Sequence, residues 1–186
     1  MRRAAALLLV LLACFSAAAE GGFSFQGALT WQSGPEDALA WMGEGATIEE
    51  DAQQDYGTVE TVVCDDLAFN GLRCARMSAT FLDGAPAGLF CYFRNEDLGD
   101  PFALLDAVAK DYGEPTRYGA PDYYGSASAF ATFCTWDYDA DTSIAIYTYT
   151  QSGARYPYDH CVAFEHTPVM QKLVERMDSY SAADIE

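Results

Sequence analysis

The chain has 186 residues and a formal net charge of −18, with 28 acidic against 10 basic residues, and about half of it is hydrophobic. That charge repels phosphate backbones and anionic lipid surfaces, so it argues against a nucleic-acid partner and favours a basic protein, a cationic peptide or a divalent cation. The length is ample for a real core without disulfide staples.

Arg2 and Arg3 precede an apolar run over residues 4–12 that is too short to span a bilayer as a mature helix. Ala17-Ala18-Ala19 then supplies small residues for a signal peptidase. Residues 1–19 therefore read as a signal peptide, with the mature chain starting at Glu20. The expected location is extracytoplasmic: secreted, periplasmic or at the cell surface. A second reading takes Leu11-Leu12-Ala13-Cys14 as a lipobox and makes Cys14 a lipidated N-terminus, although Leu12 fits poorly at its position. No later stretch is long and apolar enough to cross a membrane.

Phe23, Phe25 and Leu29 alternate with small or polar residues, as in a short extended segment. Ser33-Gly34-Pro35-Glu36 opens a helix, with Ser33 as cap, Pro35 in the first turn and Glu36 completing a capping box. Ala38, Leu39 and Met42 form its apolar face, and Gly43 stops it. Residues 45–57, with Glu49-Glu50-Asp51 in the middle, read as an acidic loop. A meander follows: a strand over 58–68, the hairpin signal Asn70-Gly71, a strand over 72–82, a turn at Asp83-Gly84-Ala85-Pro86 and a strand over 87–94.

Asp100 and Pro101 then open a second helix, whose face is Leu104, Leu105, Val108 and Tyr112 and whose stop is Gly113. A Tyr/Pro/Gly loop over 117–125 leads to strands over 130–138, 142–150 and 156–165. Thr167-Pro168 opens a C-terminal helix with an apolar stripe of Val169, Met170, Leu173, Val174 and Met177, expected to pack on its own sheet.

The two halves say the same thing. Gly43-Glu44 recurs seventy positions later as Gly113-Glu114, Cys64 as Cys134 and Cys91 as Cys161. The expected fold is α+β, with two similar lobes (20–97 and 98–166), each a short helical segment followed by an antiparallel meander, plus a C-terminal helix and tail over 167–186.

Five cysteines remain after the leader: Cys64, Cys74, Cys91, Cys134 and Cys161. An odd count in an exported chain leaves at least one thiol unpaired or intermolecular. If bridges form, repeat-equivalent positions pair and leave Cys74 over; a core of buried, reduced cysteines is the alternative. The Asn70-Gly71 turn puts Cys64 and Cys91 on either side of Met77. Turns at Asp139-Ala140 and Ser152-Gly153 put Cys134 and Cys161 on either side of Ala145, two strands apart and too distant to bridge.

Leu29-Thr30-Trp31, the capped helix from Pro35 and Trp41-Met42-Gly43-Glu44 resemble the "WGxSxxxVxxxLGxP" signature of small exported bacterial proteins. That signature occurs in degenerate form in the SmpA/OmlA-type outer-membrane small lipoproteins and in the β-lactamase-inhibitor-protein-like fold. Lys110-Asp111-Tyr112-Gly113-Glu114-Pro115 is similar to its "xxYGxP" helix end, and Trp136 with Thr142-Ser143-Ile144 to its "W…TxI" hairpin. The resemblance covers most of residues 23–165. Gly45 stands where Pro is usual and Gln32 where Gly is usual, and the cysteines are extra. The resemblance implies a tandem helix-plus-sheet module that binds other proteins and carries no catalytic residues.

Asp137, Asp139 and Asp141 have the opening spacing of a calcium loop, but Thr142 stands where the loop needs Gly and no Glu closes it. His160 and His166 flank Cys161, and on a strand His160 and Cys161 face opposite ways. No nucleophile elbow, P-loop, zinc-protease or dinucleotide fingerprint occurs, and nothing asks for a cofactor. Tyrosines crowd the second half. Tyr147 and Tyr149 alternate on one strand, Tyr156 and Tyr158 on the next, and Tyr123 and Tyr124 lie in the preceding loop. Tyrosine on a sheet packs well while keeping its hydroxyl wet, and it is favoured at recognition surfaces. The expected function is an exported, non-catalytic protein-binding module using Tyr123, Tyr124, Tyr147, Tyr149 and Tyr158. The alternatives are an exported hydrolase, for example a carbohydrate-acting one, that uses Asp/Glu residues, and a structural envelope lipoprotein.

Overall fold

A computed structural model describes residues 22–54, 57–100, 102–119, 130–149 and 157–183. The leader, Cys14, Pro101, Tyr123, Tyr124, the Ser152-Gly153 turn and Tyr156 lie outside the described residues. The elements run β1 (Ser24–Phe25), β2 (Leu29–Thr30), α1 (Pro35–Met42), β3 (Thr47–Gln54), β4 (Gly57–Phe69), β5 (Leu72–Leu82), β6 (Ala85–Phe93), α2 (Asn95–Leu98), α3 (Ala103–Tyr112), β7 (Arg117–Tyr118), β8 (Phe130–Asp137), β9 (Thr142–Tyr149), β10 (His160–His166) and α4 (Thr167–Ala183).

The fold is α+β. β1 and β2 pair alone, and the other strands form one eight-stranded antiparallel sheet in the order β3-β4-β5-β6-β10-β9-β8-β7. Asn70 (φ 49°) and Gly71 (φ 88°) supply the two left-handed residues that a tight β4–β5 hairpin demands. Asp83 (φ 51°) and Gly84 (φ 78°) do the same between β5 and β6. Register then follows: Cys64 pairs Met77, which pairs Cys91.

One face of the sheet carries the core. Val62, Cys64, Met77, Ala79, Leu89, Cys91, Trp136, Ile144, Ile146, Val162 and Phe164 pack there against Phe23 and Phe25 around β1, Ala38 and Met42 of α1, and Leu104 and Val108 of α3. Asp66 breaks the alternation of β4 with a left-handed φ of 58°, tolerable for Asp. Phe69 therefore rejoins the core, although an odd position would otherwise point away from Val62.

Four local expectations are corrected. Residues 45–57 are not simply an acidic loop, because β3 pairs along β4 from Thr47↔Val63 to Gln54↔Gly57. Pairing satisfies the outer backbone groups of β4, and charge on an edge strand discourages further strand addition. The cap of α1 is Gly34: its N–H donates to Asp37 Oδ2 at 2.8 Å, while Ser33 Oγ accepts from Thr30 N–H. Asp37 therefore closes the box in place of Glu36. α3 starts at Ala103, with Asp100 Oδ1 accepting the Phe102 N–H at 2.9 Å. Cys134 pairs Ile146 and Cys161 pairs Tyr147, so neither lies opposite Ala145; for Cys134 the shift comes from a longer turn after Asp137.

All five described cysteines are unpaired and buried. Cys134 and Cys161 are two strands apart and on opposite faces. Burial pushes the Cys134 thiol up to about 11 and raises Cys91 and Cys161 as well, which leaves them poor nucleophiles.

Candidate binding face

The register of the sheet lays three rows of side chains across the face turned away from the core. The first row is Asp65–Arg76–Tyr92–Cys161–Tyr147. The second is Val63–Ser78–Phe90–Ala163–Ala145–Thr135, and the third is Thr61–Thr80–Gly88–Glu165–Ser143–Asp137. α4 covers only one end of this face, where Val169, Met170 and Leu173 pack on Val59, Leu82, Ala85 and Ala87. Arg176 Nη1 holds Asp83 Oδ2 at 2.7 Å, which ties the helix to the β5–β6 turn and lowers the Asp83 carboxyl pKa. Among the described residues no helix is long and apolar enough to cross a membrane.

Two hollows remain. The first, about 400 Å³, is lined by Glu49, Arg76, Phe90, Tyr92, Tyr149 and Tyr158 among others. Tyr92 and Tyr158 pack with ring centroids 5.0 Å apart, and burial raises both phenols. Arg76 bridges Glu49 and Asp65 and reaches the Tyr158 hydroxyl, so its charge is met inside the protein. A Cβ on Gly88 would sit 2.9 Å from the Phe90 ring and 3.1 Å from the Phe164 carbonyl oxygen. Glycine is what lets the Phe90 ring lie down over the sheet.

The second hollow, about 790 Å³, opens between β8-β9-β10 and α4. Ser143, Ala145 and Glu165 form its floor, Met170 and Val174 face it from the helix, and Tyr147, Asp137, Asp139 and Glu175 stand around it. Glu165 has no hydrogen-bond or ion-pair partner among the described residues, and burial raises its carboxyl pKa. A carboxyl whose folded pKa lies above the unfolded one binds its proton more tightly when folded. Its penalty is absent below the unfolded value, grows as pH rises and is complete above the folded value. Glu165→Gln should therefore leave the melting temperature unchanged near pH 3 and raise it at neutral pH, by a free energy on the order of 1 kcal/mol, as thermal melts across pH will show.

In the same floor, Thr135 Oγ1 is enclosed without a hydrogen-bond partner among the described residues. An unmet buried hydroxyl costs about 1–3 kcal/mol, so Thr135→Val should raise the urea midpoint, adding roughly 1 kcal/mol of stability.

The expected site residues are divided by this geometry. Tyr149 and Tyr158 line the first hollow and Tyr147 the second. Two carboxylates of the Asp137–Asp141 turn are occupied locally: Asp137 pairs Arg117 at 3.0 Å, and Asp139 Oδ1 accepts the Asp141 N–H at 2.8 Å in the β8–β9 turn. Among the described residues no three His, Cys, Asp or Glu side chains come together as metal ligands. His160 lies between Thr148 Oγ1 and Asn95 Oδ1, and burial lowers its pKa. His166 stacks on Trp31 and donates from Nδ1 to the Pro86 carbonyl.

Phe90, Tyr92, Arg76 and Glu165 complete the face and were not singled out by sequence. Their alternation on β5, β6 and β10 was readable, but the pairing of β6 with β10, which carries Tyr92 to Tyr158, has no local signal.

Comparison with known protein families, curated proteins and solved structures finds no match. The open, tyrosine-lined face therefore has to be read from its own chemistry.

Proposed function

We propose that this is an exported, non-catalytic binding module that captures another protein on the open face of its sheet, with Tyr147, Tyr149 and Tyr158 as contact residues. The observation that carries this reading is the first hollow. There Tyr149, Tyr158 and Tyr92 present rigid amphipathic rings on a sheet face that α4 leaves uncovered. Tyr123 and Tyr124 belong to the same proposal on sequence grounds alone. The strand order supports two similar units: outward from the central β6–β10 pair, each half is a four-stranded meander preceded by a helix. The resemblance to the SmpA/OmlA and β-lactamase-inhibitor-protein-like modules belongs to the same proposal on sequence grounds. Export rests on residues 1–19.

The test is chemical cross-linking of the native protein in its host's envelope and medium, followed by mass spectrometry. One stoichiometric protein partner, lost when Tyr149 and Tyr158 are replaced by Ser, is the expected result. A blank, or capture indifferent to those rings, would sink the reading.

Glu165 favours a second reading, an exported hydrolase whose acid is a carboxyl with a pKa raised by burial. Such an enzyme needs a second, ionised carboxylate acting with it. Asp137 lies along the same row but is held by Arg117. Glycosidase assays on wild type and Glu165→Gln decide this: turnover lost in the variant would favour it.

A further inference from the structure

We propose that the hollow beneath α4 receives the cationic end of a lysine or arginine side chain from the protein partner, with Glu165 as its counter-charge. This deepens the binding-module reading and rests on it. The hollow's volume falls in the range of ligand pockets, which admits a side chain together with the tip of the loop that presents it. Its floor is cut back to Ser143 and Ala145, so the approach to Glu165 is not blocked by a large side chain. Met170 and Val174, the latter 50% exposed, offer an apolar wall for the methylene stem of a long basic residue.

Charge points the same way. Arg117, the one cation of the lining, is spent on Asp137, which leaves Asp139, Glu165 and Glu175 facing the space uncompensated by any base of the wall. Of these, Glu165 alone lies on the floor, half-buried and accepting no hydrogen bond among the described residues. A half-buried carboxylate without a donor is disfavoured, and an ammonium or guanidinium group supplies both the charge and the donors it lacks. A bare metal ion would need several converging oxygen ligands, and the described residues bring no three such groups together. The hollow also shares its face with the tyrosine-lined one, so a single partner surface could present an apolar residue to one and a basic residue to the other.

The experiment titrates the isotopically labelled mature protein with the N-acetyl N-methylamides of lysine, arginine and norleucine, followed by NMR. Lysine or arginine should give saturable shifts at Ser143, Ala145 and Glu165, with norleucine weaker by about tenfold or more. Glu165→Gln should lose the cationic binding by a similar factor while melting no lower than wild type, which separates lost recognition from lost folding. Equal binding of norleucine, unchanged binding by Glu165→Gln, or shifts confined to the Asp137–Asp141 turn would each overturn the inference. In the cross-linking experiment, capture that depends on Tyr149 and Tyr158 but survives Glu165→Gln would overturn this inference and leave the binding reading standing. Saturable lysine binding with no captured protein would sink the binding reading, and with it the protein source of the cation, and leave Glu165 as a cation site only.

Discussion

Replacement of Phe164 by Ala is expected to cost about 3–5 kcal/mol of unfolding free energy, the largest effect of any single truncation considered for this chain. Phe164 is 0% exposed. Its ring centroid lies 5.9 Å from Phe23, 5.1 Å from Phe25, 5.9 Å from Phe69 and 5.3 Å from Tyr112. Those rings come from the N-terminal hairpin, the end of β4 and the end of α3, so one side chain on β10 joins four parts of the core. Truncation removes the transfer free energy of a phenyl group and leaves a cavity that its neighbours cannot all fill, because they are fixed in three different parts of the fold. A small domain holds only about 5–15 kcal/mol in total, so the loss takes roughly a fifth of it or more. Urea unfolding at constant slope measures it. A shift below about 1 kcal/mol would mean that the rings repack and that the cluster is not a shared core. Phe164→Leu, which keeps most of the volume, should cost much less.

How far the sequence discloses this fold depends on the range of the interaction involved. Asn70-Gly71 and Asp83-Gly84 specify their turns through backbone conformations that few residues adopt, and from them the register of β4, β5 and β6 follows. The starts of α1, α3 and α4 and the stops of α1 and α3 are legible to within a few residues because Pro and Gly act locally. Strand β3 was not legible: Glu49, Glu50 and Asp51 read as loop because nothing local reveals that the open edge of β4 needs a partner. The tyrosines of the face were visible as a crowd, but alternation cannot tell which face is covered. Helix α4 decides that, by packing on Val59, Leu82 and Ala87 and leaving Tyr92, Tyr149 and Tyr158 open. Glu165 was hidden for the same reason. Its isolation comes from the helix that follows it in the chain and folds back over the sheet.

The double replacement Tyr149→Ser and Tyr158→Ser is expected to weaken partner capture by about 2 kcal/mol or more, roughly thirtyfold in Kd, while the protein stays folded. Buried aromatic anchors dominate interfaces because two rotatable bonds order a large contact area, and both rings here line one hollow. The fold loses less. Tyr158 gives up a ring contact with Tyr92 worth about 0.5–1.5 kcal/mol, and Ser at position 149 keeps the backbone N–H to the Asp159 carbonyl at 2.8 Å. Tyr112 supplies the contrast. It packs on Phe23, Phe164 and Tyr138 and donates its hydroxyl to the Ser24 carbonyl at 3.1 Å, so Tyr112→Ser should lower the melting temperature steeply. Measured side by side, melting and capture separate two roles for one residue type. Strong loss of capture with a near-native melt marks a recognition face. A melt as low as that of Tyr112→Ser would instead place Tyr149 and Tyr158 in the packing of the sheet, and the binding surface would then have to be sought in the larger hollow, where Tyr147 and Glu165 stand.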